Sequence, residues 1–215
     1  MQYERHLTWS ILLRLYHWMF ALSIVTLVVT GLYIHDPWTT TVLEGGNISY
    51  PMSDIRFIHF IAGFVFTGAM LIRIFLIFFG NRQERFWDWL PLHPTGIKNL
   101  FQTILHYAYV KDDMEHKLGH NTMAGTSYLI TFLVALMQII SGFYMLYPES
   151  PFWMGWGGTL LGSQQWGRFL HYLAMWWFMM FPMIHIYLCV WNDVYSKEGL
   201  ISSIFNGVKY TPSNH

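Results

Sequence analysis

Four stretches of this sequence are each apolar for the length of a bilayer crossing. They run roughly from Ile11 to Ile34, Asp54 to Phe79, Met123 to Tyr147 and Trp166 to Asp193. A helix needs about 20 predominantly apolar residues to cross about 30 Å of hydrocarbon. In lipid every backbone N–H and C=O must be satisfied within the structure, so only helices and closed barrels span. The period-two alternation of a barrel strand is absent, which leaves helices. Composition agrees: 11% of residues are charged, where a soluble domain carries about 25%. The formal net charge is zero, so no bulk attraction to nucleic acid is implied. The prediction is an all-α fold: a four-helix transmembrane bundle forming a single integral membrane domain over residues 1–215. The residues from Met1 to Ser10 carry no short apolar segment with a small-residue cleavage site. The first apolar stretch is therefore expected to be a retained span.

Lysine and arginine set the expected orientation. One side holds Arg5, Arg14, Arg82, Arg85, Lys98, Lys111, Lys117, Lys197 and Lys209. The other holds Arg56 and Arg168, while Arg73 lies inside the second span. The richer side is expected to be cytoplasmic, with both termini inside. The loops Asp36–Ser53 and Pro148–Gln165 then lie outside, and their Gly45-Gly46, Pro51 and Trp153–Gly158 runs read as turns. Between the second and third spans, Ile97, Leu100, Phe101, Ile104, Leu105 and Ala108 fall at helical spacing. This predicts an amphipathic helix over Thr95–Tyr109, lying on the cytoplasmic interface.

A ligand-capable side chain inside a span is a functional candidate. The single cysteine, Cys189, rules out a disulfide or a cysteine-based metal cluster within the chain. Four histidines lie in the spans: His17, His59, His171 and His185. Any one of them alone would as readily be structural. As a set they are ordered by depth. Fourteen residues separate His171 from His185, almost four whole turns, so both face one way about 21 Å apart. His17 lies near the inner end of the first span and His59 near the outer end of the second. The pairs matched by depth are His17 with His185 and His59 with His171. Two axial ligands at each of two levels suit two bis-histidine haems. A bare copper or iron site wants three or four ligands at one level.

Arginines repeat the pattern. Arg14, Arg56 and Arg168 each stand three residues before a histidine, on the same helix face and one turn nearer the surface. Guanidinium pairs with carboxylate, and haem carries two propionates. Arg73, fourteen residues after His59, faces the same way at the inner level. The plainer alternative is the snorkelling of interfacial arginines.

These residues carry a resemblance. The first span reads Arg14-Leu-Tyr-His17-Trp18-Met19, then Leu22-Ser-Ile and Leu27-Val-Val-Thr30-Gly31. The fourth runs from His171 to His185 with Trp176, Phe178 and Phe181 between. Both are similar to signatures of the b-type cytochrome subunit of membrane-bound nickel–iron hydrogenases, within the bacterial cytochrome b561-like superfamily. The second match departs at Phe169, where the family favours a small residue, and at Tyr172, where it favours a basic one. The resemblance implies heme b, two copies, with the ligand pairing that depth suggests. It implies a place in the bacterial inner membrane beside the iron–sulfur small subunit and nickel–iron large subunit of a periplasmic hydrogenase. It also implies delivery of electrons to menaquinone or ubiquinone. The di-haem subunit of formate dehydrogenase follows the same plan and is the alternative within this class. The chain has no nickel or iron–sulfur ligands of its own, so it is not expected to split hydrogen itself.

Quinone reduction takes up protons, so polar groups are expected at the inner surface. His120 and Asn121 open the third span there, after Asp112, Asp113, Glu115 and His116, with Asp193 nearby in depth. Asn121 serves equally as a helix cap. Two other classes compete. A haem-free membrane anchor has no need of depth-matched histidines. A transporter more often shows internal repeats and mid-membrane helix breakers, and here Pro182 is the one proline deep in a span.

Overall fold

The computed structural model describes residues 3–39, 42–44, 47–85, 94–107, 110, 122–196 and 198–212. In chain order the elements are β1 (Tyr3–Leu7), α1 (Ile11–His35), β2 (Val42–Glu44), β3 (Asn47–Ser49) and α2 (Pro51–Phe79). Then come α3 (Pro94–Tyr107), α4 (Thr122–Leu146), α5 (Pro151–Leu161), α6 (Gln164–Ser196), α7 (Leu200–Asn206) and β4 (Val208–Pro212). The fold is all-α in character, with two short strand pairs.

Among the described residues four helices are long and apolar enough to cross a membrane: α1, α2, α4 and α6. They coincide with the four predicted spans. Large apolar side chains stand on their outer faces, such as Leu22, Val25 and Val29 of α1. In water that surface would be a liability; in hydrocarbon it is solvated. The span hydroxyls are satisfied locally. Ser23, Thr26, Thr67 and Thr126 each donate to the carbonyl four residues back, the usual arrangement for a hydroxyl inside a helix.

The contacts divide into two compact units. The first combines Met1–Leu15, Ile72–Leu136 and Phe181–His215. In it β1 pairs antiparallel with β4, from Tyr3 opposite Pro212 to Leu7 opposite Val208. Ser10 caps α1, its Oγ accepting from the Leu13 N–H at 3.1 Å. Glu84, buried, accepts from the N–H of Ser10 at 2.8 Å and of Asn81 at 3.0 Å. Helix α3 covers most of the stretch expected to be an amphipathic helix, Thr95–Tyr109, of which Ala108 and Tyr109 lie outside the described residues. Its Ile97, Phe101 and Ile104 are exposed, while Thr103 and His106 are buried. The His106 ring meets Trp191 and Tyr195 of α6 at 5.4 and 5.8 Å.

The second unit combines Tyr16–Leu71 and Met137–Met180. Here β2 pairs antiparallel with β3. The run Trp153–Gly158, expected as a turn, is instead the body of α5. Pro151 sits in the first turn of that helix, where its missing N–H costs nothing. The glycines are there for packing. Gly157 is buried, and a Cβ on it would stand 2.3 Å from the Tyr144 ring; one on Gly167 of α6 would stand 3.0 Å from the same ring. Tyr144 thus lies between α5 and α6. Its hydroxyl donates to the Gly162 carbonyl at 2.9 Å, and its own carbonyl accepts from Gln164 at 3.0 Å.

Candidate functional site

Two of the four span histidines meet inside the second unit. His59 on α2 and His171 on α6 have ring centroids 6.5 Å apart, their planes at 61°. Each ring is held by a hydroxyl from another helix. Thr30 Oγ1, on α1, is 2.8 Å from His59 Nδ1. Ser141 Oγ, on α4, is 2.8 Å from His171 Nδ1. Both hydroxyls spend their proton on their own helix. Thr30 donates to the Thr26 carbonyl at 2.6 Å, and Ser141 to the Gln138 carbonyl at 3.2 Å. A hydroxyl has one proton, so each oxygen accepts from an imidazole N–H. This arrangement favours the Nδ1–H tautomer in both rings, with the lone pair on Nε2.

A glycine follows each hydroxyl. A Cβ on Gly31 would stand 3.5 Å from His59 Cε1, and a Cβ on Gly142 would stand 3.5 Å from His171 Cε1. These glycines let imidazole lie against helix backbone. Gly63 and Gly68 have open space where a Cβ would be.

Seven residues beyond each histidine comes a buried phenylalanine: Phe66 on α2 and Phe178 on α6. Phe20 of α1 completes the layer, 4.7 Å from Phe66 and 6.3 Å from Phe178. Phe66 and Phe178 are 5.9 Å apart. At about 1.5 Å per residue this apolar floor lies about 10 Å along the helices from the histidine pair.

Arg56 and Arg168, each three residues before its histidine, are exposed in the same unit. His17 is half-buried on α1, also in this unit. His185 belongs to the first unit. There Phe181 stacks on its ring at 5.5 Å, and the Tyr128 hydroxyl is 3.5 Å from its Nδ1. Cys189 Sγ lies 3.7 Å from its Nε2. Arg14 and Arg73 belong to the first unit too. Arg14 donates to the Phe205 carbonyl, and Arg73 is 1% exposed. His120 and Asn121, with Asp112, Asp113, Glu115 and His116, lie outside the described residues.

The His59–His171 pair fits one metal between two imidazoles. With metal–nitrogen bonds of about 2 Å, and roughly 1 Å from nitrogen to ring centre, centroids on opposite sides of one metal are about 6 Å apart. The observed separation is 6.5 Å. Two nitrogens alone leave a metal short of ligands. A porphyrin supplies four in its plane and leaves two axial positions, which is what this pair offers. Among the described residues no group of three or more His, Cys, Asp or Glu side chains is placed to hold a metal.

Comparison with known proteins agrees with the donor set. Residues 8–207 match the family described as prokaryotic cytochrome b561. The chain belongs to that family. A probable Ni/Fe-hydrogenase B-type cytochrome subunit of Azotobacter vinelandii is 35% identical over 204 residues, covering 91% of this chain and 84% of the relative. The probable Ni/Fe-hydrogenase 1 B-type cytochrome subunit of Escherichia coli K12 is 31% identical over 218 residues, covering 95% and 90%. The corresponding protein of Cupriavidus necator is 31% identical over 206 residues, covering 91% and 83%. This cytochrome is therefore a multi-pass membrane electron-transfer protein that carries heme b.

Thr30 and Ser141 are not among the residues that depth and spacing select in the sequence. Each belongs to a hydroxyl–glycine dipeptide, Thr30-Gly31 and Ser141-Gly142, but so does Thr67 in Thr67-Gly68, which bonds only its own helix, so the dipeptide alone does not single them out.

Proposed function

We propose that this cytochrome is the membrane subunit of a periplasmic nickel–iron hydrogenase. It takes electrons from the iron–sulfur small subunit, which the nickel–iron large subunit feeds, and delivers them to menaquinone or ubiquinone on the cytoplasmic side of the inner membrane. The observation that carries this reading is the His59–His171 pair, each ring held at Nδ1 by a hydroxyl from another helix, in a chain whose relatives are named as hydrogenase cytochromes.

Two heme b groups are proposed: an outer one on His59 and His171, and, from the depth order in the sequence alone, an inner one on His17 and His185. Heme b in such a site supplies reversible one-electron exchange at a potential set by its axial ligands and their hydrogen bonds. The protein's part is positional and electrostatic. His59 and His171 present unprotonated Nε2 atoms. Arg56 and Arg168 offer guanidinium groups to propionates on the outer side, and Arg14 and Arg73 do so on the inner side. The Phe20–Phe66–Phe178 layer keeps water from the interior, where it would raise the dielectric around a buried redox centre. Helix α3 rests its Ile97, Phe101 and Ile104 face in the cytoplasmic interface. His120 and Asn121 are proposed to serve the quinone, as polar groups at the inner surface.

A reduced-minus-oxidised optical spectrum of the purified protein, with haem counted per chain, tests the reading. Two b-type haems are expected. In membranes holding the partner hydrogenase, hydrogen-dependent quinone reduction should require this chain. Haem-free protein, or quinone reduction that persists without it, overturns the assignment.

A further inference from the structure

Two hydroxyl–glycine pairs do the same work on two different helices. Thr30-Gly31 on α1 receives the His59 ring, and Ser141-Gly142 on α4 receives the His171 ring. The likeness is quantitative: both Nδ1 distances are 2.8 Å, and both glycine Cβ positions would lie 3.5 Å from Cε1. Other span hydroxyls, such as Ser23, Thr26, Thr67 and Ser127, bond back to their own helix. Thr30 and Ser141 do this as well, and also reach across to a histidine on a neighbouring helix. They are 5% and 0% exposed, so bulk water does not compete for Nδ1.

We propose that Thr30 and Ser141 are the positioning residues of the outer haem, setting the tautomer, orientation and electron richness of its two axial imidazoles. This rests on the assignment of His59 and His171 as a haem pair. The chemistry runs through the ring. An acceptor on Nδ1–H draws the proton toward itself and leaves Nε2 more electron-rich. An electron-rich axial nitrogen favours ferric over ferrous iron and lowers the reduction potential. Each hydroxyl also removes the second tautomer, in which Nε2 would carry the proton and bind no metal. Two matched acceptors, one on each ring, make this outer centre easier to oxidise than a pair of unsupported imidazoles. The α1 and α4 hydroxyls then act on electron flow without touching iron or quinone.

The test uses the purified full-length cytochrome and optical redox titration. His59→Ala first identifies which haem component depends on the pair. Thr30→Val, which keeps the shape and loses the hydroxyl, should raise the midpoint of that component and leave the other component in place. Ser141→Ala should move the same component in the same direction. A tenfold change in the ferric-to-ferrous equilibrium corresponds to about 59 mV for one electron, and a shift on that order is expected. Thr30→Ser and Ser141→Thr keep the hydroxyl and should restore the wild-type value. Low-temperature electron paramagnetic resonance of the ferric protein should show changed g-values for that component alone. Unshifted potentials and spectra in both Thr30→Val and Ser141→Ala, with haem retained, overturn the proposal. So does movement of two different components. If His59→Ala leaves every haem component intact, the pair assignment itself fails, and that outcome is distinct from an unshifted potential. Should Thr30→Val not fold, Ser141→Ala decides alone, because the two rings are held by separate helices.

Discussion

At the scale of single residues, the histidines declare themselves by spacing and the hydroxyls do not. His59 and His171 can be paired from the sequence because helical rise converts residue number into depth, and depth decides which side chains can share a ligand. No spacing rule marks Ser141, and Thr30 stands in the first-span signature without any sign of its role. A threonine or serine in a span ordinarily bonds its own helix, and its reach to another helix depends on which helices are neighbours. That is decided by packing, which a single sequence does not display. The structure brings His59 and His171 to 6.5 Å, and the pairing makes a sharp prediction. His59→Ala and His171→Ala should abolish the same haem component in the optical spectrum. Haem content should fall by one equivalent in each variant, and by one equivalent in the double variant as well. Loss of different components would mean that the two rings belong to different irons.

Elements show a different balance. The four membrane-length helices follow from hydropathy, because each needs only its own composition to be recognised. Helix α5 does not. Its Gly155, Gly157 and Gly158 read as turn residues, since glycine in an isolated helix costs about 1 kcal/mol relative to alanine. The cost is offset by packing that the sequence leaves implicit: Gly157 and Gly167 flank the buried Tyr144 ring. This packing bears on the site. Gly167 is one turn before His171 on α6, so the Tyr144 contact fixes the part of the helix that carries the ligand. Gly157→Ala places a methyl 2.3 Å from the ring. Tyr144 must then move, and overpacking of this kind costs about 1–3 kcal/mol. A lower thermal midpoint in detergent is expected, with the outer haem lost before the rest of the helix signal melts. Gly155→Ala, where a Cβ meets nothing within 4 Å, is the matched control and should leave the midpoint near wild type. Equal midpoints for the two variants would show that the Tyr144 packing is not what holds this corner.

For the whole molecule, the decisive facts are the number of spans and the meeting of the termini. Four crossings are an even number, so the chain must leave the membrane on the side where it entered. The pairing of β1 with β4 meets that requirement directly, since strands on opposite sides of a bilayer cannot share hydrogen bonds. This clasp was not legible beforehand. Its strands are five residues each, mostly polar, and separated by nearly the whole chain. It is held by specific contacts: Thr8 N–H donates to the Gly207 carbonyl at 2.9 Å, Trp9 Nε1 donates to Ser203 Oγ at 3.0 Å, and Lys209 pairs with Glu198 at 3.3 Å. The clasp says that the termini are together; the charges say where. By the order of the spans, Arg5, Arg14, Arg82, Arg85, Lys98 and Lys209 are expected on the side of the termini, and cytoplasmic loops are the ones enriched in lysine and arginine. Both termini are therefore expected in the cytoplasm, with the outer histidine pair toward the periplasm, where a hydrogenase would deliver electrons. Alkaline phosphatase, active only after export, reads this out. Fused at the C-terminus it should be inactive, and fused after Pro148 it should be active. A fluorescent protein at the C-terminus should fold and fluoresce. The reverse pattern would put His59 and His171 on the cytoplasmic side. The direction of electron flow proposed for this chain would then have to be inverted, although the clasp and the histidine pair would both stand.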